Sequence, residues 1–177
     1  ISPCMRENLY KYLGMATYPD FDVKSIKRMR RGTVHHNAWE QIFIEAGVKV
    51  KSGKNNKINL VDPRIRGTPD WIITDDEDLD WLVEWKSMAT LKDPNWGYLV
   101  QWSLYAYALN IPRGFIIKED PASFDMNGIF PVRLEKDFID KILDQLRNVE
   151  RCSAEKKMIE IDQRCGSGKE WAGCDLW

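Results

Sequence analysis

Six consecutive residues, Trp81 to Lys86, read W-L-V-E-W-K. Apolar residues at both odd and even positions are the pattern of a strand buried on both faces, yet this one carries two charges. Unpaired charge in such a place is costly, so any fold the chain adopts has to find partners for Glu84 and Lys86. Strand side chains alternate between faces, which puts Glu84 and Lys86 on one side and Val83 and Trp85 on the other.

A second β-rich run, 69–74, lies just upstream, separated from 81–86 by the acidic block Asp75, Asp76, Glu77, Asp78 and Asp80. The two runs predict an antiparallel hairpin around residues 75–80, which sets Asp70 opposite residue 84, 85 or 86. The register that pairs Asp70 with Glu84 brings two carboxylates to one face, about 5 Å apart. Like charges that close repel, and one tends to protonate unless a cation lies between them. The competing reading is an exposed, charged strand edge, since E-x-K is a short pattern.

Hydrophobic periodicity outlines the rest. Helices are predicted over 5–13 and 33–46, the second opening after Gly32 with Thr33 as N-cap. Strands follow at 47–51 and 57–61. A helix runs from Asn95 to Leu109, stopped by Ile111 and Pro112. Two further strands, Arg113 to Lys118 and Gly128 to Arg133, precede an amphipathic helix from Lys136 to Cys152 with Phe138, Ile142, Leu143, Leu146 and Val149 inward. This order implies an α/β sandwich around a mixed central sheet. There is no repeat, low-complexity tract or linker. A chain of 177 residues, 44% hydrophobic with eight tryptophans, is read as one domain over residues 1–177.

No apolar run approaches the roughly 18 residues a membrane span needs, and charges run through the first thirty residues, leaving no signal-peptide core. The expectation is an intracellular, cytoplasmic protein without a membrane partner. The net charge of −1 argues against coating a polyanion by bulk electrostatics. Its distribution is uneven, with basic runs at Lys24, Lys27, Arg28, Arg30 and Arg31 and at Lys49, Lys51, Lys54 and Lys57. Each run is either solvated surface or a local basic wall for a polyanionic substrate.

Two helical pairs join the candidates. His36 lies four residues before Glu40, and Gln101 four before Tyr105, so each pair shares a helix face. One of the only two histidines, His35 and His36, is a possible further ligand, although a histidine on a half-apolar helix is also an ordinary hydrogen-bonded structural residue.

Taken in order, RGTVHHNAWE, GTPD, VEWKS and QWSLY resemble the motifs of the PD-(D/E)XK nucleases, in their RecB-like branch. That family has a G-x-x-x-H-x-x-x-E helix, an aspartate, an E-x-K strand and a Q-x-x-x-Y helix in this order. Counting from Gly32 selects His36 over His35, with Glu40 at the next matched place. The resemblance spans Cys4 to Cys174 and implies a restriction-endonuclease-like fold, a central mixed sheet flanked by helices. It further implies that His36, Asp70, Glu84 and the backbone carbonyl of Trp85 bind Mg²⁺ or Mn²⁺. Lys86 would then position or help deprotonate the attacking water, and Gln101 and Tyr105 would contact the DNA backbone or order the lysine.

Cys4, Cys152, Cys165 and Cys174 place one cysteine near the start and three in the last 26 residues. A subset of RecB-like nucleases, the CRISPR-adaptation exonucleases and the AddB nuclease domain among them, is similar: one cysteine ahead of the domain and three behind it hold a 4Fe-4S cluster. The opening from Cys4 through Arg6 to Tyr10 matches that subset's C-x-R-x-x-x-Y. Twelve residues separate Cys152 from Cys165 and eight separate Cys165 from Cys174, wider than the C-x-x-C usual there. Four thiolates also suit zinc, and two disulfides are arithmetically possible, though a reducing compartment disfavours them. Any of these would staple the chain ends, in a cluster region formed by Cys4 and residues 152–174.

The resemblance therefore predicts a divalent-metal-dependent DNA nuclease, an exonuclease processing DNA ends with single-strand preference and a structural 4Fe-4S cluster, in a prokaryotic or virus-infected cell. Recombination or CRISPR-adaptation proteins would be its partners. The alternative is a catalytically silent DNA-binding scaffold subunit of such a complex.

Overall fold

The computed structural model describes residues 22–87, 93–120, 122–123 and 125–155. The predicted helix over 5–13 and three of the four cysteines, Cys4, Cys165 and Cys174, lie outside them. Two compact units divide the chain, one of Asp20–Ile139 and one of Ile1–Pro19 with Asp140–Trp177.

The larger unit is built on a five-stranded sheet. Its elements run α1 (Val23–Glu45), β1 (Lys49–Ser52), β2 (Ile58–Leu60), β3 (Ile65–Gly67), β4 (Trp71–Thr74), β5 (Asp80–Ser87), α2 (Trp96–Leu109), β6 (Arg113–Glu119) and β7 (Met126–Arg133). The sheet order is β1-β4-β5-β6-β7, with β2 and β3 forming a separate hairpin. Only β5 and β6 pair in parallel, and α2 supplies the crossover between them. The sheet is therefore mixed, as the order of elements implied. β5 is its middle strand, which is why its sequence is apolar on both faces.

Those faces are covered by different helices. Trp71, Val83, Trp85 and Ile117 form a buried cluster against Trp39 and Phe43 of α1. Ile72, Leu82 and Ile116 pack with Trp102 and Ala106 of α2. By alternation, Glu84 and Lys86 belong with Leu82, on the side of α2. That helix starts at Asn95, whose side chain accepts from the Tyr98 N–H at 3.1 Å, and ends at Asn110 in the left-handed conformation with φ 55°. The stop is thus the left-handed cap, one residue before Ile111 and Pro112.

Two expectations are corrected. The first described helix begins at Val23 rather than 33, so Thr33 is not its N-cap; it lies in mid-helix, with Oγ1 donating to the Met29 carbonyl at 3.2 Å. One glycine at position 32 costs only about 1 kcal/mol, and the lysines and arginines before it are good helix formers, so the helix runs through. Strand β3 was not predicted, because Ile65–Gly67 is too short to show a period.

The last helix, α3 (Lys136–Ala154), has the predicted amphipathic pattern, with Ile142, Leu143 and Val149 buried. No helix among the described residues is long and apolar enough to cross a membrane.

Candidate active site

The β4–β5 register pairs Trp71 with Val83 and Ile72 with Leu82, and one further step puts Asp70 across from Glu84. At that step the ladder stops. The N–H of Trp85 donates to the Asp70 carboxylate, Oδ2, at 2.7 Å. A side chain thus takes the place of a strand neighbour, which holds the aspartate at the point where the two strands part.

Helix α1 reaches this point from the other side. His36 Nε2 lies 3.3 Å from Asp70 Oδ1, and its ring stacks on Trp71 with centroids 4.1 Å apart and planes 19° from parallel. Glu40, one turn on, accepts from the Trp71 indole at 3.3 Å and from the Ser52 hydroxyl at 3.4 Å, tying α1 to β4 and β1. His35 points elsewhere. Its Nδ1 lies 3.0 Å from Glu119 Oε1, a buried contact. Of the two histidines, His36 is the one beside Asp70.

Glu84 is 1% exposed. Its Oε1 receives Lys86 Nζ at 2.5 Å and Gln101 Nε2 at 2.7 Å, while its Oε2 is buried without a hydrogen-bond partner among the described residues. Burial, and then the charge of Asp70, push the Glu84 carboxyl up to about 7 against the pull of Lys86. At Lys86 the neighbouring charges win instead. Burial alone would lower its ammonium, but the carboxylates of Glu84 and Asp70 outweigh burial and the pKa is raised. Its Nζ also meets Gln101 Oε1 at 3.2 Å and sits 5.1 Å from the centroid of the Tyr98 ring. The chain Glu84–Gln101–Tyr105 closes with the Gln101 amide 3.4 Å from the Tyr105 hydroxyl. Burial raises the pKa of that hydroxyl.

The same tyrosine explains one glycine. A Cβ built on Gly67, the first residue of GTPD, would lie 2.5 Å from Tyr105 Cε1, so the strand entering the site can run this close to α2 only without a side chain.

The structure thus brings together His36, Asp70, Glu84, Lys86, Gln101 and Tyr105. The Trp85 main chain lies beside them, its N–H on Asp70. Cys152, the one described cysteine, is half-buried in α3 with its Sγ 3.7 Å from Asn148 Oδ1.

Three participants were missed. Trp71 and Tyr98 supply rings under His36 and Lys86, and only their proximity in sequence to Asp70 and Gln101 hinted at it. Glu119, fully buried at the end of β6, accepts from the indoles of Trp39 at 3.0 Å and Trp85 at 2.9 Å and lies against His35. Its signal was an acid directly following an apolar strand.

The second basic run is partly paired within the chain. Lys49 and Lys51 pair with Asp78 and Asp80 at 2.9 Å, so half of that run is neutralised by the acidic block.

No protein-family model matches the chain, and no curated protein does. Solved structures do. An alkaline exonuclease (LHK-Exo) from Laribacter hongkongensis superposes with a TM-score of 0.58 at 16% identity, covering 86% of this chain and 78% of its own. The protein SSO0001 superposes with a TM-score of 0.51 at 12% identity, covering 86% and 84%. At such identities the likeness establishes the fold, a restriction-endonuclease-like mixed sheet flanked by helices.

Proposed function

We propose that the chain is a divalent-metal-dependent DNA nuclease, an exonuclease that processes DNA ends with a preference for single strands. One observation carries the reading: the buried Glu84 carboxylate has one oxygen held by Lys86 and Gln101 and the other without a donor, with Asp70 close enough to raise its pKa. A buried acceptor left unsatisfied is costly, and a cation is the partner that two neighbouring carboxylates ask for.

The donor set fits a hard divalent cation. Carboxylate and carbonyl oxygens suit Mg²⁺, and an imidazole beside them favours Mn²⁺. Among the described residues no three His, Cys, Asp or Glu side chains form a ready-made cage. Magnesium usually takes only one or two carboxylates and completes its shell with water and substrate phosphate, so the sparse set is in keeping. His36, Asp70, Glu84 and the Trp85 carbonyl would hold the cation. Bound there, it would acidify a water molecule and offset charge on the attacked phosphate.

The chain's own residues do the rest. Lys86, fixed by Glu84 and Gln101, presents an ammonium that orients the attacking water and meets charge developing on the phosphate. Gln101 bonds both Glu84 and Lys86 and so sets their spacing. Tyr105 steadies Gln101 and offers a hydroxyl to the DNA backbone. A fold shared with an alkaline exonuclease supports nuclease chemistry by analogy, since folds host many functions.

We extend the reading to Cys4, Cys152, Cys165 and Cys174 as ligands of a structural 4Fe-4S cluster, and to recombination or CRISPR-adaptation proteins as partners inside the cell. Asp70→Ala and Lys86→Ala should each abolish cleavage of labelled DNA in Mg²⁺ or Mn²⁺, with EDTA as control and unchanged circular dichroism. Undiminished cleavage by either variant refutes the site. Anaerobic protein should be brown and contain iron and sulfide; a colourless, zinc-loaded preparation refutes the cluster.

A further inference from the structure

We infer that the outer face of the β2–β3 hairpin, carrying Lys57 and Arg66 with Asn59 between them, is a binding surface for the phosphate backbone of the nucleic acid cut at the adjacent centre; it rests on the nuclease reading and names where the flanking substrate lies.

Residues 53–69 contain Lys54, Lys57, Arg64 and Arg66 against a single acid, Asp62. The hairpin they build has two different faces. Ile58 and Ile65 are buried, whereas Lys57, Asn59 and Arg66 are exposed. Asn59 and Arg66 are cross-strand partners, and Lys57, two residues before Asn59, emerges on the same side. One face therefore anchors the hairpin and the other offers two cations flanking an amide, a donor-rich surface suited to phosphate oxygens.

The contrast with the neighbouring lysines is what separates this face from ordinary solvated charge. Lys49 and Lys51 are each paired with an aspartate. Lys54 reaches only the neutral Asn37 amide oxygen, at 3.4 Å. Neither Lys57 nor Arg66 has a carboxylate partner among the described residues. Of the basic run from Lys49 to Lys57, the charge left over after pairing thus lies toward the hairpin.

Its position ties it to the site. Gly67, next to Arg66, abuts the Tyr105 ring, and Asp70 follows three residues after Gly67. Four residues of extended chain reach at most about 14 Å, so a strand lying on Arg66 and Lys57 is within a few nucleotides of Asp70. Because the contacts are to backbone, they add affinity without sequence preference.

The test uses fluorescent single- and double-stranded oligonucleotides, with Ca²⁺ in place of Mg²⁺ to hold the complex before cleavage. Lys57→Ala/Arg66→Ala should weaken binding about tenfold or more and flatten the log–log salt dependence by about one for each charge removed. In Mg²⁺ the variant should raise KM and leave kcat near wild type. Arg133→Ala, at an exposed position on the edge strand β7 of the five-stranded sheet, removes charge elsewhere and should change neither slope nor KM. Wild-type affinity and slope in the double variant, an equal loss in Arg133→Ala, or no binding of either oligonucleotide by the wild type overturns the surface. If the wild type binds through the hairpin but cuts nothing in any divalent metal, the surface stands and the nuclease reading falls; if it cuts and the double variant binds normally, the reverse holds.

Discussion

Lys86 reaches back along its own strand to Glu84, with Nζ 2.5 Å from Oε1, and leaves Oε2 of the same carboxylate with no partner among the described residues. The glutamate is therefore half satisfied by the chain. Burial, and then the charge of Asp70, raise its pKa, and the oxygen left over marks where an external cation would act.

That shift links stability to pH. Folding raises the Glu84 carboxyl from the ordinary 4.5 to about 7, so the folded state binds this proton more tightly than the unfolded state. Stability from this group is then full below the unfolded value and is lost as pH rises through about 7. Asp75 and Asp80, whose pKa values are lowered, act only in the acid range below that window. In EDTA the free energy of unfolding should fall between about pH 5 and pH 8, by an amount on the order of 3 kcal/mol, and the melting temperature should fall with it. Mg²⁺ or Mn²⁺ should restore it at the upper end. A flat profile in EDTA would show that Glu84 does not titrate there.

Gln101 bonds both Glu84 and Lys86 without being charged itself. Gln101→Leu keeps the bulk and removes the bonds, and it should cost roughly 10–100-fold in metal affinity or activity. Calorimetric titration with Mn²⁺ separates the two. Unchanged affinity together with unchanged turnover would make Gln101 a bystander.

Gly67→Ala should destabilise the fold by about 1–3 kcal/mol, the usual cost of overpacking, because its new methyl would meet the Tyr105 ring. In a Tyr105→Ala background the same change should cost far less. Denaturant unfolding of the four proteins in this cycle gives the coupling, and additive effects would rule out the clash.

Glu119, itself fully buried, gathers two indole N–H groups and His35. Glu119→Ala orphans these groups at about 1–3 kcal/mol each, so a loss on the order of 3–5 kcal/mol is expected by denaturant unfolding. A loss below about 1 kcal/mol would mean the cavity rehydrates freely.

Much of this arrangement was legible because it follows from period alone. Alternation in β5 separates Glu84 and Lys86 from Val83 and Trp85, hairpin symmetry leads Asp70 to Glu84, and helical spacing stacks Gln101 below Tyr105. Proximity created by long-range packing was not legible. Glu119 lies more than eighty residues from His35, and no local pattern joins them. The start of α1 was misread because a glycine looks like a boundary but costs too little to be one. The pairing of Lys49 and Lys51 with Asp78 and Asp80 depends on β1 lying beside β4, which strand order in sequence does not reveal.

The place of β5 in the sheet has a consequence for how the protein fails. Leu82 and Val83 are paired on both sides, to β4 and to β6, and Glu84 to Ser87 continue along β6. The amides of such a stretch are expected to exchange with solvent only through global opening. The reactive constellation should thus persist until the whole sheet melts, so that heat inactivation and unfolding follow one curve.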